Sequence, residues 1–149
     1  MTNPTRPSVL FVCVKNAGKS QMAAALMRQA CRDAIEVHSA GTRPGSALNA
    51  ASRASVERVG GSFEGEFPKT IDADLLRRVD RVVLIGAEAQ LAPVEGMRGT
   101  IERWTTEEPS LRGIEGDQRM DLIRDDLAAR TLELQSDLLA ASERPRPTL

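Results

Sequence analysis

The sequence predicts a three-layer α/β sandwich built around a parallel sheet, and three observations carry that prediction. Short apolar runs rich in β-branched residues, "SVLFVCV" at 8–14 and "VDRVVLIG" at 79–86, have the continuous apolar character of strands buried on both faces. Segments with helical three- and four-residue spacing alternate with them. No repeat, linker or composition break divides the 149 residues, so one domain is expected over 1–149, with flexible proline-bearing tails at 1–7 and 143–149.

The elements follow in order. The first strand, 8–14, runs into a Gly-containing loop, "KNAGKS", and then into "QMAAALMRQACRDA" at 21–34, rich in helix formers. Ala23, Leu26, Met27, Ala30, Cys31 and Ala34 recur at helical spacing and are expected to form its apolar face. "IEVHSAG" (35–41) reads as a second strand ending in a turn, and "LNAASRASVERVGG" (48–61) as a helix closed by paired glycines. The run at 79–86 is the third strand, and "GTIERW" (99–104) a weaker fourth. From Asp117 to about Ala141 a long helix is expected, with Met120, Ile123, Leu127, Leu134 and Leu138 on one stripe.

Composition narrows the function classes. Twenty basic against twenty-one acidic residues give a net charge of -1, so no overall basic field exists for nucleic acid or an anionic membrane. Two cysteines, Cys13 and Cys31, make no disulfide framework, and with His38 as the lone histidine no metal site is expected. The start of the chain lacks the apolar stretch of a secretory signal, and no apolar run approaches membrane-spanning length. A cytoplasmic protein with reduced thiols is expected.

The chemistry concentrates in Cys13 to Ser20, between the first strand and the first helix, where α/β folds bind ligands. Gly18-Lys19-Ser20 resembles the end of a nucleotide-binding loop, but Cys13 stands where that motif needs its first glycine. The third strand also ends in Gly86 rather than in an acid for magnesium, with Asp80 at the wrong end. Taken from Cys13, the same loop places a sulfur in a ring of amides below a helix N-terminus, a setting that favours thiolate. The candidate oxyanion cradle is therefore Val14, Lys15, Asn16, Ala17, Gly18, Lys19 and Ser20. Lys19 adds charge, Ser20 can donate to the sulfur, and Asn16 tolerates left-handed backbone angles. A thiolate under a tetrahedral oxyanion is a nucleophile for phosphorus or arsenic.

Three separated segments, "VLFVCVKNAGKSQMAAALM", "HSAGTRPG" and "WTTEEP", together resemble the low-molecular-weight protein tyrosine phosphatase family and its arsenate-reductase branch. The stretch "EEPSLRGIEGDQRM" looks most like actinobacterial arsenate reductases that use mycothiol. The resemblance covers about residues 8 to 141. It implies a four-stranded parallel sheet flanked by helices, Cys13 as nucleophile, Lys19 where most members carry Arg, and Glu108 before Pro109 as general acid, with Glu107 as the fallback. Lys supplies a point charge in place of a two-oxygen fork, which argues against efficient phosphomonoester hydrolysis.

A phosphotyrosine site is expected to carry aromatic walls, and here only Trp104 is placed to contribute, so composition favours a small oxyanion such as arsenate. Thioredoxin-coupled branches of the family carry two further cysteines, which this chain lacks. Cys31 lies eleven residues beyond Ser20. That is roughly 16 Å along a helix, against the about 7 Å that a disulfide allows between Cα atoms. No bound cofactor is expected. The resemblance implies an external thiol, suspected to be mycothiol, and a small redoxin, although glutathione meets the physical requirement equally well. The alternatives at this stage are a phosphomonoester phosphatase using the same Cys13, and an oxyanion-binding module without catalysis. The sequence leaves His38, at the end of the second strand, undecided, such histidines being more often structural than catalytic, and gives Ser39 beside it at most a loop-supporting role.

Overall fold

The computed structural model describes residues 6–143. Four parallel strands form the central sheet: β1 (Ser8–Cys13), β2 (Glu36–Gly41), β3 (Arg81–Ile85) and β4 (Thr100–Trp104), in the order β2-β1-β3-β4. The order puts β1 and β3 inside, which is why their sequences are unbroken apolar runs, while β4, an edge strand, carries Glu102 and Arg103. In register, Cys13 lies beside Gly41 at the carboxyl end of the sheet. At the other end Asp80 accepts hydrogen bonds from the Ser8 amide (2.9 Å) and hydroxyl (3.2 Å), so its carboxylate fastens the start of β1 and is remote from the anion loop.

Helices α1 (Lys19–Cys31), α2 (Ala50–Glu57) and α4 (Gly116–Glu143) cover one face of the sheet. The other face is covered by α3 (Ala73–Arg78) and the irregular segment 87–98, whose Leu91, Val94 and Met97 pack with Leu10, Val12 and Leu84. The single apolar stripe expected on α1 is corrected. Every residue from Ser20 to Met27 is buried, whereas Ala30 and Ala34 are exposed. Sheet, α2 and α4 surround the first two turns together, which requires the small residues Ala23, Ala24 and Ala25 there. Past Cys31 the chain leaves the helix, so Ala34 belongs to the turn into β2.

The stripe on α4 is as expected, and Thr131 fills its gap between Leu127 and Leu134. Thr131 is 1% exposed, its hydroxyl satisfied by the Ala128 carbonyl at 2.9 Å. The N-terminal tail is corrected in part. Arg6 donates to the Asp33 carbonyl (3.1 Å) and the buried Pro7 carbonyl accepts from the Glu36 amide (2.8 Å), so the chain is tied to the sheet edge from Arg6 onward. Glu143 closes α4, and the remaining tail positions, 1–5 and 144–149, lie outside the described residues. Among the described residues, no helix is long and apolar enough to cross a membrane.

Candidate active site

The site begins with where the loop carbonyls go. Those of Cys13, Val14, Lys15 and Ala17 accept from the backbone amides of Thr42, Arg43, Gly45 and Asn49 at 3.1, 2.8, 2.9 and 2.8 Å. In a trans peptide the N–H points opposite to the preceding carbonyl. The amides of Val14, Lys15, Asn16 and Gly18 are thereby turned away from segment 42–49, into the concavity of the loop. Gly18 caps α1 without a side-chain hydrogen bond, so the first-turn amides, which have no intrahelical partner, face the same concavity.

Cys13 lies at the base of this cradle, 9% exposed. Its Sγ is 2.8 Å from Ser20 Oγ and accepts from the Asn16 amide at 3.3 Å. Because Asn16 Nδ2 already donates to Ser20 Oγ (2.8 Å), the serine hydrogen is left to point at the sulfur. Asn16 is fully buried with φ 51°, the left-handed conformation that suits Asn. Its Oδ1 accepts from Gln21 Nε2 (3.1 Å) and from the Lys69 amide (2.9 Å). Gln21 Nε2 also reaches the Asn16 and Phe67 carbonyls, both at 3.1 Å. The segment 66–70 is thus docked on the loop through the side chains of Asn16 and Gln21.

Gly41 completes the fit. A Cβ there would stand 2.7 Å from the Val14 carbonyl and 3.0 Å from the Asn16 amide, so only glycine lets β2 pass this close. Its amide meanwhile donates to the Lys69 carbonyl (2.7 Å), joining cradle and docked segment. In the cradle, Gln21, Gly41 and the backbone of Lys69 were missed by sequence reasoning. A glycine closing a strand in "HSAG" was the one readable sign, as an indicator of close backbone approach.

The acid segment is built differently. Glu108 caps a 3-10 turn at Pro109–Arg112, its Oε2 accepting from the Ser110 amide at 3.4 Å. Arg119, near the start of α4, grips both carboxylate oxygens, Nε lying 3.1 and 3.0 Å from Oε1 and Oε2 while Nη2 also contacts Oε1. That guanidinium first, and more weakly the Ser110 amide and the charge of Lys19, hold the Glu108 carboxyl below the usual carboxylate range against the opposing effect of burial. The influence of Lys19 places Glu108 in electrostatic reach of the cradle. Its state is nonetheless the reverse of what the general-acid expectation needs, a carboxyl that keeps its proton near neutrality. The fallback, Glu107, is exposed and paired with Arg112 at 2.5 Å.

Trp104 does not form a pocket rim. It is 6% exposed, packed at a tilt of 52° against Phe11 with ring centroids 5.6 Å apart, and its indole N–H donates to Glu102 at 3.2 Å. The large exposed ring on the docked segment is that of Phe67, with Lys69 Nζ 5.2 Å from its centroid. Cys31 and Cys13 are both free thiols. Cys31 ends α1 at the far end of the helix from Ser20, buried against the Ile35 carbonyl, and that burial pushes its thiol above the ordinary range. His38 pairs with Glu36 at 2.6 Å on the edge strand, where Arg78 also holds Glu36. The buried Ser39 lies 3.4 Å from Lys69 Nζ. Among the described residues, no group of three His, Cys, Asp or Glu side chains is placed to hold a metal ion.

The sequence model described as low molecular weight phosphotyrosine protein phosphatase matches residues 8–104, which takes in the whole cradle and stops short of Glu108. An arsenate reductase of Bacillus subtilis (strain 168) is 30% identical over 103 residues, covering 68% of this chain and 73% of the relative. A thioredoxin-dependent arsenate reductase of Corynebacterium glutamicum superposes with a TM-score of 0.77 at 27% identity, over 94% of this chain; the chain spans 65% of that protein's length. The tyrosine phosphatase Wzb from Escherichia coli K30, solved in complex with sulphate, superposes with a TM-score of 0.71 at 18% identity, over 90% of this chain and 99% of that one, and shares the fold.

Proposed function

This chain belongs to the low molecular weight phosphotyrosine protein phosphatase family, and from that premise we propose that it is a thiol-dependent arsenate reductase of the arsenate–thiol transferase type. The observation that carries the reading is the Cys13 sulfur at the base of a loop whose carbonyls are turned outward and whose amides line the concavity. Such a cradle suits a small tetrahedral oxyanion held by backbone donors, with Lys19 adding charge. Both the Bacillus and the Corynebacterium relatives carry the name arsenate reductase.

In the proposed reaction the Cys13 thiolate attacks arsenate as its monoanion. A sulfur–arsenic bond forms and an arsenic–oxygen bond breaks, with water leaving on protons that the arsenate itself carries. Completing the reduction requires two more thiols. With Cys31 buried at the other end of α1, they come from outside the chain. A low-molecular-weight thiol, proposed to be mycothiol, displaces Cys13 from arsenic. A redoxin thiolate then attacks that thiol's sulfur, forming a mixed disulfide while the electron pair of the sulfur–arsenic bond remains on arsenic as arsenite. The thioredoxin dependence in the name of the Corynebacterium relative supports a redoxin at this last step.

A phosphomonoesterase reading is favoured by the family match alone. Purified protein supplied with arsenate, thiol and redoxin separates the two, with mycothiol and glutathione compared and an aryl phosphate in a parallel arm. Arsenite formation is expected to fall at least about a thousandfold in Cys13→Ser. No arsenite from the wild type, or undiminished arsenite from the variant, would sink the arsenate reading, and Cys13-dependent aryl phosphate turnover in its place would establish the phosphatase.

A further inference from the structure

The residues around Glu108 decide more than the position of a loop. Arg119 approaches that carboxylate side-on and engages both oxygens, while the Ser110 amide takes a further bond to Oε2. The pair bridges the segment after β4 and the first turn of α4, and both side chains are about two-thirds shielded, at 29% and 32% exposure. The charged groups facing it from neighbouring elements are Lys19 on α1 and Glu115, whose charge acts on Arg119. Glu107 is occupied with Arg112.

We propose that Arg119 is the specificity-determining residue of this site: by gripping both oxygens of Glu108 it keeps that group from donating a proton, and so turns the site from phosphomonoesters toward arsenate. The inference rests on the arsenate reading above.

The chemistry distinguishes the two substrates by where the leaving-group proton comes from. Attack of a thiolate on a phosphomonoester dianion forms a sulfur–phosphorus bond and expels an alkoxide or phenoxide, which needs a proton from the protein unless it is intrinsically stable. A phosphomonoester loses its own second proton at about pH 6, so it brings none. Arsenate near neutrality retains protons on its oxygens and expels water without help. A carboxylate clamped as the anion therefore penalises the first reaction and spares the second. Arg119 is accordingly a positioning residue, acting through Glu108.

The test compares phenyl phosphate, a poor leaving group, with p-nitrophenyl phosphate, a good one, in the wild type and Arg119→Gln. In the wild type, turnover is expected to fall steeply from the nitrophenyl to the phenyl ester. In Arg119→Gln the phenyl ester is expected to gain about tenfold relative to the nitrophenyl ester, a typical share of general-acid assistance being a hundredfold or more. The acid side of the phenyl phosphate pH profile then extends upward in pH, and the preference for arsenate over phenyl phosphate narrows by a similar factor. Arg119→Lys, which retains the charge without the fork, should fall between the two.

A flat dependence on leaving group in the wild type would show that an acid already donates, and would overturn the assignment even if Arg119→Gln did not fold. A folded Arg119→Gln with no phenyl phosphate gain overturns it as well. If the wild type makes no arsenite while that gain appears, the arsenate reading fails and the control of Glu108 by Arg119 stands. Arsenite formation without the gain removes only the role of Arg119.

Discussion

Different forces hold the cradle at 13–20 and the segment at 104–119. In the cradle the side-chain network of Asn16, Ser20 and Gln21 is almost wholly shielded from solvent, and backbone bonds to segment 42–49 fasten the outer side of the loop. The acid segment depends on side-chain ion pairs near the surface, Glu108 with Arg119 and Glu107 with Arg112. Buried bonds of the first kind resist salt and pH, and leaving one unmade is costly. Pairs of the second kind are weak in stability terms and open to adjustment by single substitutions. Cys13 is thus fixed by the fold, whereas Glu108 is held by a single charged side chain near the surface.

The hardest test of that contrast is Asn16→Ala. It removes one donor and two accepted bonds, leaves Ser20, Gln21 and the Lys69 amide without that partner, and puts alanine at φ 51°. A loss of about 3 kcal/mol in chemical denaturation is expected, with kcat/KM for arsenite formation reduced about a hundredfold or more. A variant that kept its activity would mean that the docked segment 66–70 does not support the cradle.

A smaller effect is expected from Cys31→Ala, which asks whether the cradle holds all the thiol chemistry of the chain. Loss of a small buried group should cost about 1 kcal/mol, measured by denaturation, with arsenite turnover within about twofold of wild type. Abolished turnover in a folded variant would assign Cys31 a chemical role.

The smallest effect is the response to acid. Glu108 is held below its ordinary range by Arg119, and Asp121 by Arg58, helped by Ser55 and Arg124. A carboxyl lowered in the folded state contributes stability that is present above its unfolded value, at about pH 4, and is lost as pH falls through the folded value. Acidification below about pH 4 should therefore loosen the acid segment and the contact between α2 and α4 before the cradle opens. Hydrogen exchange that instead showed the amides of Asn16 and Gly18 exposed first would reverse the contrast between the two regions.

The two regions also differed in how much the sequence disclosed. β1, β3 and the loop were legible because apolar runs, a cysteine and Asn-Ala-Gly-Lys-Ser are contiguous signals. So was the stripe of α4, which obeys one period over many turns. α3 was not legible, since it has only six residues and buries only Leu76. The docking of Lys69 on Asn16, 53 positions apart, leaves no local trace in composition or period. Glu108 was found from its place before Pro109, but its electrostatic state depended on Arg119, eleven residues further on, across a turn that no spacing rule predicts.

The segment 42–49 supports the cradle through main-chain donors alone, those of Thr42, Arg43, Gly45 and Asn49, while the side chains of Arg43, Pro44, Ser46 and Ala47 face solvent. Scaffold and surface are therefore separable there. Successive substitutions of those outward side chains can change the charge and shape of this surface while the backbone bonds that hold the loop are inherited unchanged.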